Sequence, residues 1–416
     1  MSSFSADKKK LLTNFFSLSL VEAANYLFPL LTLPYLVRVL GPDKFGLIAF
    51  VQAFVQYFVL FTDYGFNFSA TRNISINRDN PREISRIFSS VLVIKILFLV
   101  ASFVILMFFV LLIPRFRPNL VIFIFAFGAV LGNVLFPIWF FQGMERMKLI
   151  AVFNLIAKLL FVAAIFLFIK TRDDYVFVPL INSLGFIVAG SLSLIIVFSV
   201  FKVRFFLPKF NQITHELREG WHIFISTSAV SIYTTSNTVI LGFFASNTIV
   251  GYYSAAEKVI RSSQRLLTPI SQTIYPHISK LVADSRVKAV EFIRKTLFIV
   301  GSFSLIISIT IFLSSGFIVH VLLGSQFQES IHVLRFLAFL PFIIALSNIF
   351  GIQTMITFNM KELLPRILFS AGIISVVLSL ILVPHLKHIG TAITVLVAES
   401  YVTVATYFTI RKIIRI

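Results

Sequence analysis

Four charged side chains recur at helical spacing in an otherwise apolar stretch. They are Glu257, Lys258, Arg261 and Arg265. At about 100° per residue of an α-helix, all four lie within an arc of roughly 100°. Arginine forms bidentate hydrogen bonds with phosphate oxygens, and a low-dielectric cavity strengthens the electrostatic attraction. Because this group has three bases and one acid, it predicts a cationic wall that binds an anionic ligand. The alternative is a structural network in which Glu257 and Arg261 neutralise each other.

Six further ionisable residues lie in apolar segments. They are Glu22, Asp63, Lys95, Lys158, Arg335 and Glu399. A charge in the middle of a membrane-spanning helix costs roughly 2.5–3.5 kcal/mol on insertion scales, so these side chains should face the protein interior. Lys158 and Lys95 are candidates to extend the cationic substrate-binding surface, although Lys95 could equally pair with Glu22 or Asp63.

The interior carboxylates have different expected roles. Glu22 and Glu399 are candidates for a proton- or cation-coupling site, because desolvation favours protonation of a buried carboxylate, or for ion pairs with the bases near Arg261. The helical rise places Asp63 near a cytoplasmic end, where we expect it to anchor the following loop with Arg72 and Arg78. Arg335, close to the end of an apolar segment, should snorkel toward the interface.

The elements that position these residues are membrane-spanning helices. The chain is 58% hydrophobic and only 13% charged, against roughly 25% charged in soluble domains. Apolar segments long enough to cross a bilayer recur with short polar breaks. Their approximate bounds are 11–39, 46–69, 87–113, 120–141, 149–170, 176–201, 221–245, 251–278, 296–323, 331–358, 367–384 and 389–410. The first segment is too long for a cleaved signal peptide and is interpreted as a retained span.

The distribution of basic residues predicts the orientation of these twelve spans. Of the 36 Lys and Arg residues, 23 fall at the termini and in the loops on one side, 7 fall on the other side, and six lie inside spans. Positively charged short loops stay in the cytoplasm, so both termini should be cytoplasmic. The net charge of +19 therefore reflects loop clusters and not a nucleic-acid-binding domain.

The two halves of the chain resemble each other. GPDKFGLIAFVQ, ending at Gln52, matches ASNTIVGYYSAAE, ending at Glu257, and the match aligns Gly46 with Gly251. Residues 133–148 likewise resemble residues 348–361. Six spans repeated in parallel are typical of transporters. The predicted domains are a six-helix bundle at 1–205, a cytoplasmic linker at 206–220 and a second bundle at 221–416. Prolines 29, 34, 137, 269, 276 and 341 are predicted to interrupt or bend the spans.

The order of these motifs resembles a known family. Residues 31–75, LTLPYLVRVLGPDKFGLIAFVQAFVQYFVLFTDYGFNFSATRNIS, resemble the start of Wzx-type O-antigen flippases, and WFFQGMERMK at 139–148 resembles the segment after their fourth span. The likeness is to polysaccharide exporters of the multidrug/oligosaccharidyl-lipid/polysaccharide superfamily. It implies an all-α, MATE-like membrane fold of about 12 helices, with two pseudo-repeated six-helix bundles around a central lumen in the bacterial inner membrane.

The resemblance also implies a function. Such proteins move undecaprenyl-diphosphate-linked oligosaccharide between leaflets by alternating access, coupled to an ion gradient, and their cationic lumen is associated with the diphosphate. The positions that fit by location are Arg261, Arg265, Lys258 and Lys158. Other polysaccharide-assembly membrane proteins are possible partners. No metal-binding motif or cofactor is predicted.

Two other functions remain open. A multidrug antiporter of the same superfamily would favour a lumen richer in carboxylates, whereas the interior of the spans holds six bases and four acids. A polysaccharide polymerase or ligase would need a sizeable extracytoplasmic loop, and here no predicted outside loop exceeds about ten residues. The sequence therefore predicts a transporter and not an enzyme.

Overall fold

The computed structural model describes residues 28, 31–225, 227, 228, 231, 235–360 and 362–411, and it contains helices and no β-strand within those residues. This is the expected result for long apolar segments, because a backbone in hydrocarbon has no water to bond and a helix satisfies its N–H and C=O groups internally. In chain order the first helices are α1 (Ser2–Asp63), α2 (Phe66–Ile76), α3 (Pro81–Leu112), α4 (Leu120–Leu135), α5 (Ile138–Gly143), α6 (Met147–Phe168), α7 (Phe177–Ser199) and α8 (Phe210–Phe244).

The remaining helices complete the second half of the chain. They are α9 (Asn247–Arg265), α10 (Thr268–Asp284), α11 (Arg286–Leu313), α12 (Ser315–Ile318), α13 (Ser330–Leu337), α14 (Leu340–Asn348) and α15 (Leu363–Ile414), with π-helical segments at Val319–Leu323 and Ile349–Ile356.

These helices follow the order of the predicted spans. Eight stretches of the described chain are long and apolar enough to cross a membrane. The stretch Leu31–Ile76 has a break at Gly41 (φ 70°) and the stretch Leu363–Arg411 has one at Lys387 (φ 50°), and each of these breaks falls between two predicted spans. The α8 helix and the α9–α10 pair lie at the seventh and eighth predicted spans, while most of the first predicted span, 11–39, lies outside the described residues. The all-helical, multi-pass membrane fold expected from the sequence is thereby confirmed.

Several predicted prolines interrupt helices where expected. Pro137 follows the end of α4, Pro269 lies at the start of α10 just after a break at Leu266–Leu267, and Pro341 begins α14. Proline cannot donate a backbone hydrogen bond and restricts the residue before it, which explains these positions. Pro276, by contrast, lies inside α10. Pro29 lies outside the described residues.

The chain groups into two compact units. The N-terminal unit contains Met1–Thr32 and Val51–Ser228, and the C-terminal unit contains Leu33–Phe50 and Ala229–Ile416. The hairpin at Leu33–Phe50 is therefore grouped with the second half of the chain. The division into domains at 206–220 stays a prediction, because packing alone does not test whether either half folds independently.

Within the C-terminal unit, the hairpin and α9 approach backbone to backbone. A Cβ atom on Gly46 would lie 1.8 Å from the carbonyl oxygen of Asn247, and one on Gly251 would lie 2.0 Å from that of Pro42. Only glycine permits this separation, since a real Cβ essentially never comes so close to a backbone atom. The two glycines that the internal repeat aligns are thus the two that make this contact.

The N-terminal unit has an aromatic core under the start of α8. Tyr64 stacks on Phe224 with ring centroids 4.8 Å apart, and a Cβ on Gly220 would lie 2.9 Å from the carbonyl oxygen of Tyr64. Gly65, at φ 79°, starts α2 and faces Ile223 closely. These contacts dock residues 220–224 of α8 onto the end of α1 and the start of α2.

Candidate substrate-binding site

Helix α9 presents one apolar face and one charged face. Its buried residues include Tyr253, Ala256 and Ile260, which recur at intervals of three and four and so pack one side of the helix. Glu257 and Arg261, four residues apart, lie on a different face. Neither α9 nor α10 is among the eight strongly apolar stretches, which fits helices that face the protein interior and not lipid.

Arg261 and Glu257 form an ion pair whose cation stays accessible. The Nε and Nη2 atoms of Arg261 donate to Oε1 of Glu257 at 3.1 and 2.8 Å. The Arg261 side chain nevertheless keeps 52% of its surface exposed, while that of Glu257 keeps 20%. The pair matches the structural alternative considered for these residues, but the exposed guanidinium retains donors for a ligand.

Two adjoining cavities of the C-terminal unit meet at Arg261. The larger, about 660 Å³, is lined by both Arg261 and Arg265 and by polar side chains that include Gln264, Ser271 and Tyr275. The smaller, about 340 Å³, is lined by Arg261, Glu257, Tyr253, Asn237 and Glu399. We call them the cationic cavity and the acidic cavity. Both volumes lie in the range of roughly 300–1,000 Å³ typical of ligand sites.

Glu399 lies in the acidic cavity and is almost buried. It is 8% exposed, on α15, and it interacts electrostatically with Arg261. Two carboxylates, Glu257 and Glu399, therefore face one guanidinium. An ion pair with the bases near Arg261 was one of the two alternatives predicted for Glu399.

The other predicted bases lie apart from the two cavities. Lys258, next to Glu257 in sequence, places its Nζ atom over the ring of Phe45, 4.8 Å from the centroid. Lys158, on α6, belongs to the N-terminal unit. Arg335 is exposed and donates from Nε to the hydroxyl of Ser315 at 3.0 Å, and its expected snorkelling stays a prediction.

Lys95 is buried in an ion pair of the N-terminal unit. It is 2% exposed, and its Nζ atom lies 2.9 Å from Oδ1 of Asp63 and 3.4 Å from Oδ1 of Asn133. The Asp63 alternative is thus the one observed. The expected role of Asp63 as an anchor for Arg72 and Arg78 is wrong, because Asp63 faces the third span.

The arginines of that loop have other partners. Arg72 pairs with Glu219 at 3.7 Å and Arg78 with Glu145 at 3.0 Å. The helical rise gave the depth of Asp63 but not the direction of its side chain. Glu22, the remaining candidate for coupling, lies outside the described residues.

Polar side chains that belong to no sequence motif also line the cationic cavity. Ser271 donates to Oδ1 of Asn348 at 2.6 Å, and Nε2 of Gln353 donates to the Ser271 hydroxyl at 2.8 Å. Gln353 is 2% exposed, and its Oε1 atom has no hydrogen-bond partner among the described residues. The internal repeat had singled out Asn348 by position, whereas Ser271 carried no signal.

A second site missed from the sequence is the carboxylate of Glu216 at the start of α8. Glu216 is fully buried, lies 3.7 Å from Arg86 and accepts from Nδ2 of Asn73 at 3.2 Å. Burial raises the pKa of the Glu216 carboxyl, and the nearby Arg86 partly opposes this rise. In sequence Glu216 lies in a polar linker with His215 and Arg218, a pattern typical of a solvated helix.

The sequence matches a known family over most of its length. Residues 11–282 match the family described as "Polysaccharide biosynthesis protein". A protein of Escherichia coli (strain K12) named "Putative O-antigen transporter" is 38% identical over 401 residues, which cover 95% of this chain and 96% of the relative.

Solved structures show the same fold at low sequence identity. The lipid II flippase MurJ in an inward closed conformation has a TM-score of 0.69 and 16% identity, covering 94% of this chain and 87% of that one. An inward-facing multidrug resistance MATE family transporter has a TM-score of 0.67 and 13% identity, covering 93% and 94%. The protein therefore belongs to the polysaccharide biosynthesis protein family and is a membrane transporter with a MATE-like fold.

Proposed function

We propose that the protein translocates an undecaprenyl-diphosphate-linked oligosaccharide, such as an O-antigen repeat unit, from the cytoplasmic to the periplasmic leaflet of the bacterial inner membrane. The family match and the relative named for O-antigen transport support a lipid-linked glycan as the substrate. The bias of Lys and Arg residues supports cytoplasmic termini. In this proposal the protein transports its substrate by alternating access.

The observation that carries the proposal is the accessible guanidinium of Arg261. A charge within a spanning helix is energetically costly, so such residues are usually functional. If the ion pair were purely structural, we would expect its cation to be buried. Arg261 instead keeps 52% of its side chain exposed and borders two cavities. With Arg265 on the same cavity wall, it could bind the oxygens of a diphosphate.

The acids beside Arg261 offer a route to ion coupling. Glu257 holds the guanidinium and Glu399 interacts with it, so both compete with a substrate phosphate for the same cation. Protonation of either carboxylate, or binding of a cation to it, would release Arg261 toward the diphosphate. Substrate binding and ion binding would then be linked through one side chain.

A multidrug antiporter shares the fold but fits the cationic cavity less well. Within the described part of the chain, the charged residues that line this cavity are Arg261 and Arg265, whereas an organic cation would favour carboxylates. The acids border only the smaller cavity, and there Glu257 is already paired. Measuring which compound the protein transports distinguishes a multidrug antiporter from a flippase.

The test is translocation of a fluorescent undecaprenyl-diphosphate glycan in proteoliposomes, with and without an imposed proton or sodium gradient. We expect Arg261→Ala together with Arg265→Ala to reduce the rate by about tenfold or more, because a lost charged hydrogen bond costs about 1.5–3 kcal/mol. Arg286→Ala, which removes an exposed arginine outside both cavities, is the matched control.

Two results would overturn the proposal. One is wild-type protein that fails to move the labelled lipid while it exports an organic cation such as ethidium. The other is an Arg261→Ala, Arg265→Ala variant that inserts normally and retains the rate of the Arg286→Ala control.

A further inference from the structure

The N-terminal unit contains a cavity whose polar lining is made of carboxamides. It has a volume of about 410 Å³ and is lined by Gln52, Gln56, Asn133 and Asn182, with apolar residues and Pro179 around them. Among the described residues, no ionisable side chain borders it. We call it the amide cavity. Its size is within the range typical of small-molecule sites.

The carboxamides of this cavity are short of partners. Among the described residues, Gln52, Gln56 and Asn182 make no side-chain hydrogen bond; Gln52 and Asn182 are half-buried and Gln56 is exposed. Asn133 uses its Oδ1 atom to accept from Lys95, which leaves its amide nitrogen as a donor. The donors and acceptors of these accessible amides are therefore available to water or to a polar ligand in the cavity.

The chemistry of the lining favours a neutral ligand rich in hydroxyl groups. Each carboxamide offers both donors and an acceptor, and a sugar hydroxyl likewise donates and accepts. A phosphate would find no cation, because Lys95 is 2% exposed and held by Asp63 at 2.9 Å. Carboxamides also recognise sugars without the desolvation penalty of a charged group.

The internal repeat gives a second, independent reason to regard this cavity as a site. When Gly46 is aligned with Gly251, Gln52 and Gln56 correspond to Glu257 and Arg261. Asn133 corresponds to Asn348, which borders both cavities of the C-terminal unit. The two units therefore have cavities lined from corresponding positions, one by neutral amides and the other by charged groups.

We infer that the amide cavity binds a neutral sugar residue of the translocated lipid-linked glycan. This inference rests on the proposed function. It assigns a sugar subsite to the N-terminal unit. Substrates that carry a neutral, hydroxyl-rich sugar would be preferred over the bare lipid diphosphate.

The experiment compares two probes, undecaprenyl diphosphate and undecaprenyl-diphosphate N-acetylglucosamine, by native mass spectrometry of the full-length protein in detergent. We expect the sugar-bearing probe to bind about tenfold more tightly to the wild-type protein, the equivalent of one to two good hydrogen bonds. In Gln52→Leu with Gln56→Leu, this difference should fall below about twofold while the affinity for undecaprenyl diphosphate is retained. Gln326→Leu, a glutamine outside the cavity, should behave as wild type.

Each outcome separates the two hypotheses. If the wild-type protein binds neither probe, the proposed function fails. If it binds both probes equally, or if the Gln52→Leu, Gln56→Leu variant keeps the full preference for the sugar, the amide cavity is not the sugar site. Retained binding of undecaprenyl diphosphate shows that the variant is folded.

A second measurement avoids the apolar substitutions. The chain has no cysteine, so Gln56→Cys creates a single thiol at the cavity. The sugar-bearing probe should slow modification of this thiol by N-ethylmaleimide at least about fivefold more than undecaprenyl diphosphate does, because a bound ligand excludes the reagent. Equal protection by both probes would contradict the inference.

Discussion

Residues 46–56 and 251–261 are aligned by the internal repeat and differ in charge. Each begins with a glycine that approaches the backbone of the other segment or of the residues just before it, at separations that no side chain would permit. Six and ten residues later, the first copy has Gln52 and Gln56 and the second has Glu257 and Arg261. The comparison shows that the two glycines allow close backbone packing, whereas the polar positions differ between the segments and line cavities of different charge.

The two units also keep their interior cations differently. In the N-terminal unit Lys95 is 2% exposed and bound to Asp63. In the C-terminal unit Arg261 is paired with Glu257 but remains 52% exposed at two cavities. A buried pair stabilises a packing arrangement, whereas an accessible one can exchange its partner for a ligand. We therefore expect the first to affect stability and the second to affect binding.

The largest effect on stability should come from Lys95→Met. This change leaves Asp63 without its partner, and breaking a buried ion pair costs about 3–5 kcal/mol, here near 3 because Asp63 keeps 22% exposure. The double variant Lys95→Met, Asp63→Asn should recover much of the loss. Thermal unfolding in detergent measures both.

Arg261→Gln is the matched comparison in the other unit. It should shift the unfolding temperature less than Lys95→Met while weakening binding of undecaprenyl diphosphate, since its side chain is half exposed. Equal destabilisation by the two substitutions would remove the distinction between a structural and a ligand-binding charge.

A smaller effect should follow from Gly46→Ala and from Gly251→Ala. A methyl group at either position meets a backbone carbonyl at 2.0 Å or less, and overpacking of this kind costs about 1–3 kcal/mol. Both variants should lower the unfolding temperature by similar amounts if the two copies pack equivalently.

Gly316→Ala is the control, because no heavy atom lies within 4 Å of the added methyl group. Tolerance of alanine at only one of the two aligned glycines would show that the copies are not equivalent in packing.

The smallest effect should come from Glu216→Gln, and it should depend on pH. Burial raises the pKa of this carboxyl in the folded protein above its value in the unfolded chain, so the folded state retains the proton to a higher pH. As the pH rises through that interval, the unfolded state ionises first and the free energy of unfolding of the wild-type protein falls, by at most about 1.4 kcal/mol per pH unit. Glutamine cannot ionise, so the variant should lack this slope.

Unfolding temperatures measured at acidic and at alkaline pH test this expectation. Glu219→Gln, which removes an exposed ion pair with Arg72, should keep the wild-type pH dependence. If the slopes of the wild-type protein and of Glu216→Gln coincide, the buried carboxylate does not contribute to the stability of the docked α8.

Much of the fold was predictable because hydrocarbon imposes a simple rule on the sequence. Apolar runs of spanning length predicted the helices, and the breaks at Pro137, Pro269 and Pro341 fell where proline ends a helix. The spacing of Glu257 and Arg261 predicted their contact, because residues four apart meet on one helix. The burial of Glu216 against Arg86 and Asn73 could not be predicted, because its polar neighbours in sequence are typical of a solvated helix.

The sequence by itself determined a twelve-span transporter whose interior charges must avoid lipid, since the cost of exposing them is a property of each residue and its depth. The alignment of Gly46 with Gly251 was also readable from the chain alone. Only the tertiary structure decided that Lys95 pairs with Asp63, 32 residues away, and that Arg261 stays accessible. Helical periodicity fixes which residues share a face, but the packing of helices distant in sequence decides what that face meets.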